Sequence, residues 1–287
     1  MGDSLTWVSP LGVEFPLTGT PGLYRGAGTV GRFMPTFEVT EREAPHGATL
    51  VQTRTRPRNL DIPFFVLNEA DTVTVRTLMR NIASSMNPAR GTGVGKLRYG
   101  SPTGVVRELS CLYTGGLDAA ADRDGYLHRF VLGFRALDPF WYNIVAETAS
   151  FIGGGTITPF FPFFPLVISA SQIFGEVVSF NSGDVEAWPV WSITGPASGI
   201  ILRNTTTGGI IDLGTLAIVA GEGLSIDTRP GYKTIVKYDG TNLYPNLSVA
   251  SHLWSVLPGN NAIRVEMAGT TGDSQVSMEY FARFLAP

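Results

Sequence analysis

Only one stretch of the chain carries a helical period. Val75, Leu78, Met79, Ile82 and Met86 recur at i, i+3, i+4, i+7 and i+11, which lays one apolar stripe along a helix over 71–86. Asp71 is the expected N-cap, because its carboxylate can accept from the free amides of the first turn. Pro88 and Gly91 end the helix. Elsewhere in the first half, apolar residues come in short alternating runs, which predict strands over 7–15, 49–56, 60–67, 96–99, 105–113 and 126–137. Pro63 suggests that its strand is an edge or carries a bulge. The polar run 115–125 is the expected turn of a hairpin, and the Gly- and Thr-rich residues 19–35 read as an extended arm. One helix on an antiparallel sheet is an α+β arrangement.

The pattern changes near residue 138. A glycine run at 153–155 leads into a Phe/Pro stretch at 158–165. Beyond it come only short strands between glycine turns, at 177–180, 190–193, 200–204, 210–213, 224–227, 234–238, 261–267 and 275–284. Strands at this spacing predict an antiparallel sandwich. The expected division is therefore a first domain over 1–150, a linker over 151–165 and a sandwich over 166–287. Phe160, Phe161, Phe163 and Phe164 would be costly if exposed, since burying a Phe is worth about 1.5–3 kcal/mol. Stiffened by prolines, that segment is expected to clamp the two domains or a neighbouring subunit.

Composition narrows the classes. The 287 residues suit two domains, and 44% apolar with 16% charged residues describes a chain with packed cores. The 34 glycines, 19 prolines and 11% aromatics favour strands and turns. A formal net charge of −3 argues against a nucleic-acid binder, which needs a basic stripe. The nearest thing to one is Arg54, Arg56 and Arg58, which at a period of two would share one face of a strand. A single cysteine, Cys111, cannot form an internal disulfide and reads as a small buried hydrophobe. No signal peptide is legible, and the most apolar window, 157–174, is broken by Pro159, Pro162 and Pro165, so no membrane insertion is expected.

Motifs for chemistry fail on context. Gly26, Gly28 and Gly31 match the spacing of a dinucleotide-binding turn, but no apolar strand precedes them and Pro35 stands where the helix should run. They are assigned to the arm, as candidate interface residues. Residues 91–96 resemble a phosphate-binding loop, yet Arg90 and Leu97 occupy positions that need Gly and Ser or Thr. His46, His128 and His252 lack ligand spacing, and no serine sits in a nucleophile elbow. Asp118, Asp122 and Asp124 lack the closing glutamate of a calcium loop and read as a solvated hairpin tip. The expectation is no catalysis, no cofactor and no metal site.

An ordered set of motifs carries a resemblance. Residues 181–189 (NSGDVEAWP), 193–196 (ITGP), 221–233 (GEGLSIDTRPGYK), Leu253 with Trp254, and 257–261 (LPGNN) follow one another in the second half, and 137–142 (LDPFWY) closes the first. In this order and spacing the chain resembles the siphophage distal tail proteins over essentially its whole length. The resemblance implies a mainly β protein: an N-terminal α+β domain, an antiparallel sheet or split barrel with one helix, and a C-terminal galectin-like β-sandwich. It implies a homo-hexameric ring at the distal end of the phage tail, assembled in the host cytoplasm. The N-terminal domains would form the ring, with DNA only passing through its lumen. Implied partners are the tail tube protein, the tail hub or tail-associated protein, and receptor-binding or fibre proteins. The alternatives are a freestanding galectin-like carbohydrate-binding module, or another minor tail or tail-tube protein.

Overall fold

The computed structural model describes residues 3–31, 33–68, 71–89, 91, 93–118, 120–121, 126–152 and 173–287. The chain divides into two compact units, one of Met1–Ile144 with Phe284–Pro287, the other of Val145–Arg283. The expected linker core and its four phenylalanines, Phe160, Phe161, Phe163 and Phe164, lie outside the described residues.

In the first unit the order is β1 (Ser4–Val8), β2 (Glu14–Pro16), β3 (Leu23–Arg25), β4 (Phe37–Ala44), β5 (Gly47–Thr55), β6 (Arg58–Leu67), α1 (Thr72–Ser85), β7 (Gly95–Gly100), β8 (Val106–Gly115), β9 (Ala120–Ala121), β10 (Leu127–Ala136) and β11 (Trp141–Asn143). A curled antiparallel sheet runs β2-β1-β7-β8-β10-β6-β3 and forms a half-barrel. β6 shows why it holds. Its even positions, Arg58, Leu60, Ile62, Phe64 and Val66, are all buried, while odd positions face outward. Trp7 packs on Phe134 at 5.2 Å, and its Nε1 donates to the Ser85 carbonyl at 2.8 Å, satisfying one of the last acceptors of α1. The helix starts as read: Asp71 accepts from the Val73 and Thr74 amides at 2.8 and 3.1 Å. Val75, Ile82 and Met86 of the stripe are buried, and Leu78 and Met79 are half-buried.

Pro63 is not on an edge. β6 lies between β10 and β3. Gly26 donates to the Pro63 carbonyl at 2.8 Å, so the proline turns its missing donor toward the arm, just where β3 ends. The arm itself is docked. Leu23, Tyr24 and Arg25 pair with Val66, Phe65 and Phe64, and Val30 bridges Asp61. Gly31 (φ +76°) lies so close to β6 that a Cβ there would stand 1.9 Å from the Asn59 carbonyl oxygen.

The second unit continues with β12 (Glu147–Ile152), β13 (Ile173–Asn181), β14 (Val190–Thr194), β15 (Ala197–Asn204), β16 (Gly209–Asp212), β17 (Ala217–Ile218), β18 (Gly223–Asp227), β19 (Thr234–Lys237), β20 (Gly259–Ala268) and β21 (Gln275–Tyr280), and β22 (Arg283–Phe284) follows. One sheet runs β12-β21-β14-β18-β19 and the other β13-β20-β15-β16, with β17 on β15. Their inward positions merge in one core, including Trp191, Leu224, Ile226 and Met278 from the first sheet and Leu202, Ile211, Ile263 and Val265 from the second. Trp191 and Trp254 meet edge to face at 5.5 Å. The fold is thus the mainly β architecture expected, an α+β unit followed by an antiparallel sandwich.

Candidate interaction surfaces

β4 and β5 form a sheet of their own, a two-stranded ribbon whose side chains are exposed or half-exposed along its whole length. Pairing of Phe37 with Thr55, Val39 with Thr53, Glu41 with Leu50 and Glu43 with Ala48 puts these residues on one face. Glu38, Thr40 and Arg42 with Arg54, Gln52 and Thr49 make the other. One face is therefore apolar near its root and the other charged or polar. Phe37, Val39 and Leu50 are 42%, 51% and 62% exposed. Among the described residues the ribbon pairs with no other strand, and exposed apolar residues arrayed on one face are a feature of contact surfaces.

Glu38 sits between Arg54 and Arg56, its carboxylate accepting from Arg56 at 2.6 Å and from Arg54. The hydrogen bonds from Arg56 and Arg54 hold its pKa below the usual glutamate value. The three arginines do not share a face. Arg56 donates its backbone N–H to the Thr36 carbonyl at the ribbon root, and Arg58 turns inward and is 1% exposed. Burial lowers the Arg58 pKa to about 10, so it stays a cation at neutral pH.

In the sandwich, three buried asparagines hold loops through their amides. Asn181 donates to the Val185 and Val256 carbonyls at 3.1 and 3.0 Å and accepts from Gly183 N–H at 2.9 Å. Asn204 accepts from the Thr206 and Thr207 amides and donates to Asn261 at 3.2 Å. Asn261 donates to the Leu257 and Gly259 carbonyls at 2.7 and 3.0 Å. A Cβ at Gly183 would stand 2.5 Å from the Arg283 carbonyl oxygen, which explains the glycine in that motif. The residues read as a family pattern are thus pieces of loop architecture.

The motifs for chemistry are absorbed into structure. Gly26 and Gly31 pack against β6 of their own chain, while Gly28 is exposed with open space around it. The arm therefore docks on β6 of its own chain through residues 23–31. Gly95 and Lys96 lie inside β7, and the Lys96 ammonium pairs with Glu108 at 2.8 Å. His46 is at the ribbon turn, His128 in β10 and His252 beside β16. Burial raises the Cys111 thiol pKa strongly. Asp118 is exposed, and Asp122 and Asp124 fall outside the described residues. Among the described residues no group of three or more His, Cys, Asp or Glu is placed to hold a metal, and no helix is long and apolar enough to cross a membrane.

Fold and surface together define a β-rich scaffold whose β4–β5 ribbon pairs, among the described residues, with no other strand. Residues 182–284 match the family described as siphovirus-type tail component, C-terminal domain. The whole chain has the fold of the Dit protein of phage SPP1, described as a paradigm of hub adsorption apparatus in Gram-positive-infecting phages. The TM-score is 0.68 at 13% identity over 99% of this chain and 100% of that one. A chain of the phage P2 baseplate, in its activated conformation with Ca, matches with TM-score 0.50 and 10% identity over 97% and 98%. No curated protein sequence matches the chain. The resemblance read from the sequence is borne out to this extent: residues 182–284 match the siphovirus-type tail component, C-terminal domain, and the chain has the fold of the SPP1 Dit protein.

Proposed function

We propose that the chain is a structural, non-enzymatic distal tail protein. Six copies, the number the resemblance implies, close into a ring at the distal end of the tail. The ring joins the tail tube protein to the tail hub and adhesion device, with receptor-binding or fibre proteins beyond, and DNA passes through its lumen. The observation that carries this reading is the β4–β5 ribbon. It is a long element that forms a sheet of its own and exposes Phe37, Val39 and Leu50 on one face. A closed ring needs a heterologous contact, one patch meeting a different patch on the next copy, and a projecting ribbon supplies one half of such a contact. The ribbon, rather than residues 19–35, is the arm of the ring. Phe160, Phe161, Phe163 and Phe164 remain in this proposal as the clamp between domains or subunits. A galectin-like sugar-binding role for the sandwich is the alternative. It is disfavoured by the sandwich's own tryptophans, since Trp191 and Trp254 are buried and Trp188 is half-buried, so none is a fully exposed platform.

Native mass measurement at high concentration, with and without the tail tube protein, tests the proposal. The expected result is a six-chain species for the intact protein. A monomer or two-fold dimer in both conditions contradicts it.

A further inference from the structure

The chain leaves the first unit after β11 and returns to it at residue 284, with β22 paired to β11. The returning residues are held by two cations through their main chain. Arg58 donates to the Leu285 carbonyl at 2.7 Å and also to the Gly31 carbonyl at 3.2 Å. Arg107, on β8, donates to the Ala286 carbonyl at 2.6 Å, and its guanidinium lies 3.5 Å from the centroid of the buried Phe284 ring. Pro287 shares the wall of a cavity of about 20 Å³ with Thr29 of the arm and with Trp141.

We propose that residues 284–287 are a latch that sets the arm and the root of the ribbon. One guanidinium, Arg58, donates both to the returning residues, at the Leu285 carbonyl, and to the arm, at the Gly31 carbonyl. Arg58 stands three residues beyond the last residue of β5, so the same side chain anchors the end of the ribbon. Charge-assisted bonds from a buried cation are strong, and a buried cation that loses an acceptor is costly. Docking of the tail therefore favours docking of the arm, and the reverse holds by linkage. Phe284 and Arg107 supply the aromatic and cationic grip, while Leu285 and Ala286 contribute carbonyls that any side chain could present. A chain whose residues 284–287 have not yet docked holds its ribbon root loosely. The consequence for assembly rests on the ring proposal, but the latch itself does not, because it is read on the monomer.

Hydrogen exchange of the dilute, monomeric protein tests it. The Val30 and Asp61 amides, which bond each other's carbonyls at 3.0 and 3.3 Å, report the arm. The Leu224 and Ile226 amides report the sandwich. In a chain lacking 285–287, and separately in Arg107→Met, the arm amides are expected to exchange at least about tenfold faster, with the sandwich amides unchanged. Wild-type protection of Val30 and Asp61 in both variants overturns the latch. So does an equal loss at Leu224 and Ile226, which makes the tail a contributor to general stability only. If the shortened chain does not fold, Arg107→Met decides.

Discussion

Asn261 shows how single side chains give the second unit its shape. Fully buried, it bonds the Leu257 N–H and the Leu257 and Gly259 carbonyls, and accepts from Asn204. Asn261→Ala removes the acceptor of the buried Asn204 amide and the partner of part-buried backbone groups at Leu257 and Gly259, and a buried polar group left unsatisfied costs about 1–3 kcal/mol. A loss of at least that size is expected in denaturant unfolding, and an unchanged midpoint would show that the loop has other supports. Glu38 gives a pH test. Its pKa is depressed by Arg56 and Arg54, so its contribution is present above the ordinary glutamate value and is lost as pH falls through the lower, folded value. A carboxyl titration followed by NMR should place Glu38 below an ordinary glutamate, and the double change Arg54→Gln with Arg56→Gln should restore it. Asp71 was legible as a cap because its partners lie two and three residues away. Arg58 was not: its neighbours Arg54 and Arg56 suggested a common outward face, and only the burial of β6 reveals that it points inward.

Among elements, those whose periodicity meets a core were legible. The stripe of α1 and the alternation of β6, β14 and β20 all correspond to buried faces. β4 escaped because its acid-rich sequence, FEVTEREA, has weak strand propensity and no core to face. The docking of residues 19–35 escaped because it runs mainly through backbone hydrogen bonds to β6, which leave little trace in side-chain pattern. The ribbon gives the sharpest test at this scale. Replacing residues 38–54 by an Asn-Gly turn removes a ribbon whose side chains are exposed or half-exposed. The thermal midpoint is expected to stay within a few degrees of the parent, since a change of about 1 kcal/mol shifts a domain of about 150 residues by only about 2–4 °C. Assembly, followed by sedimentation, is expected to fail. A variant that assembles normally would remove the ribbon from the contact.

The molecule as a whole divides at residues 144 and 145, and its second unit is entered and left by strands. The change of pattern near 138 was visible in the sequence. The return of residues 284–287 to the first unit was not, because capture through main-chain carbonyls needs no particular side chains there. It also means that residues 1–150 alone lack part of their own unit. The net charge of −3, with Arg54, Arg56, Lys96 and Arg98 all paired to glutamates, leaves little to grip DNA. Fluorescence anisotropy with duplex DNA at about 0.15 M salt, where charges act over about 8 Å, is expected to show no tight binding. The central claim remains the ring. Negative-stain imaging of the purified protein at high concentration, alone and with the tail tube protein, tests it most directly. Six-fold rings with a central hole are expected in at least one of the two conditions, and compact monomers or two-fold dimers in both would contradict the account.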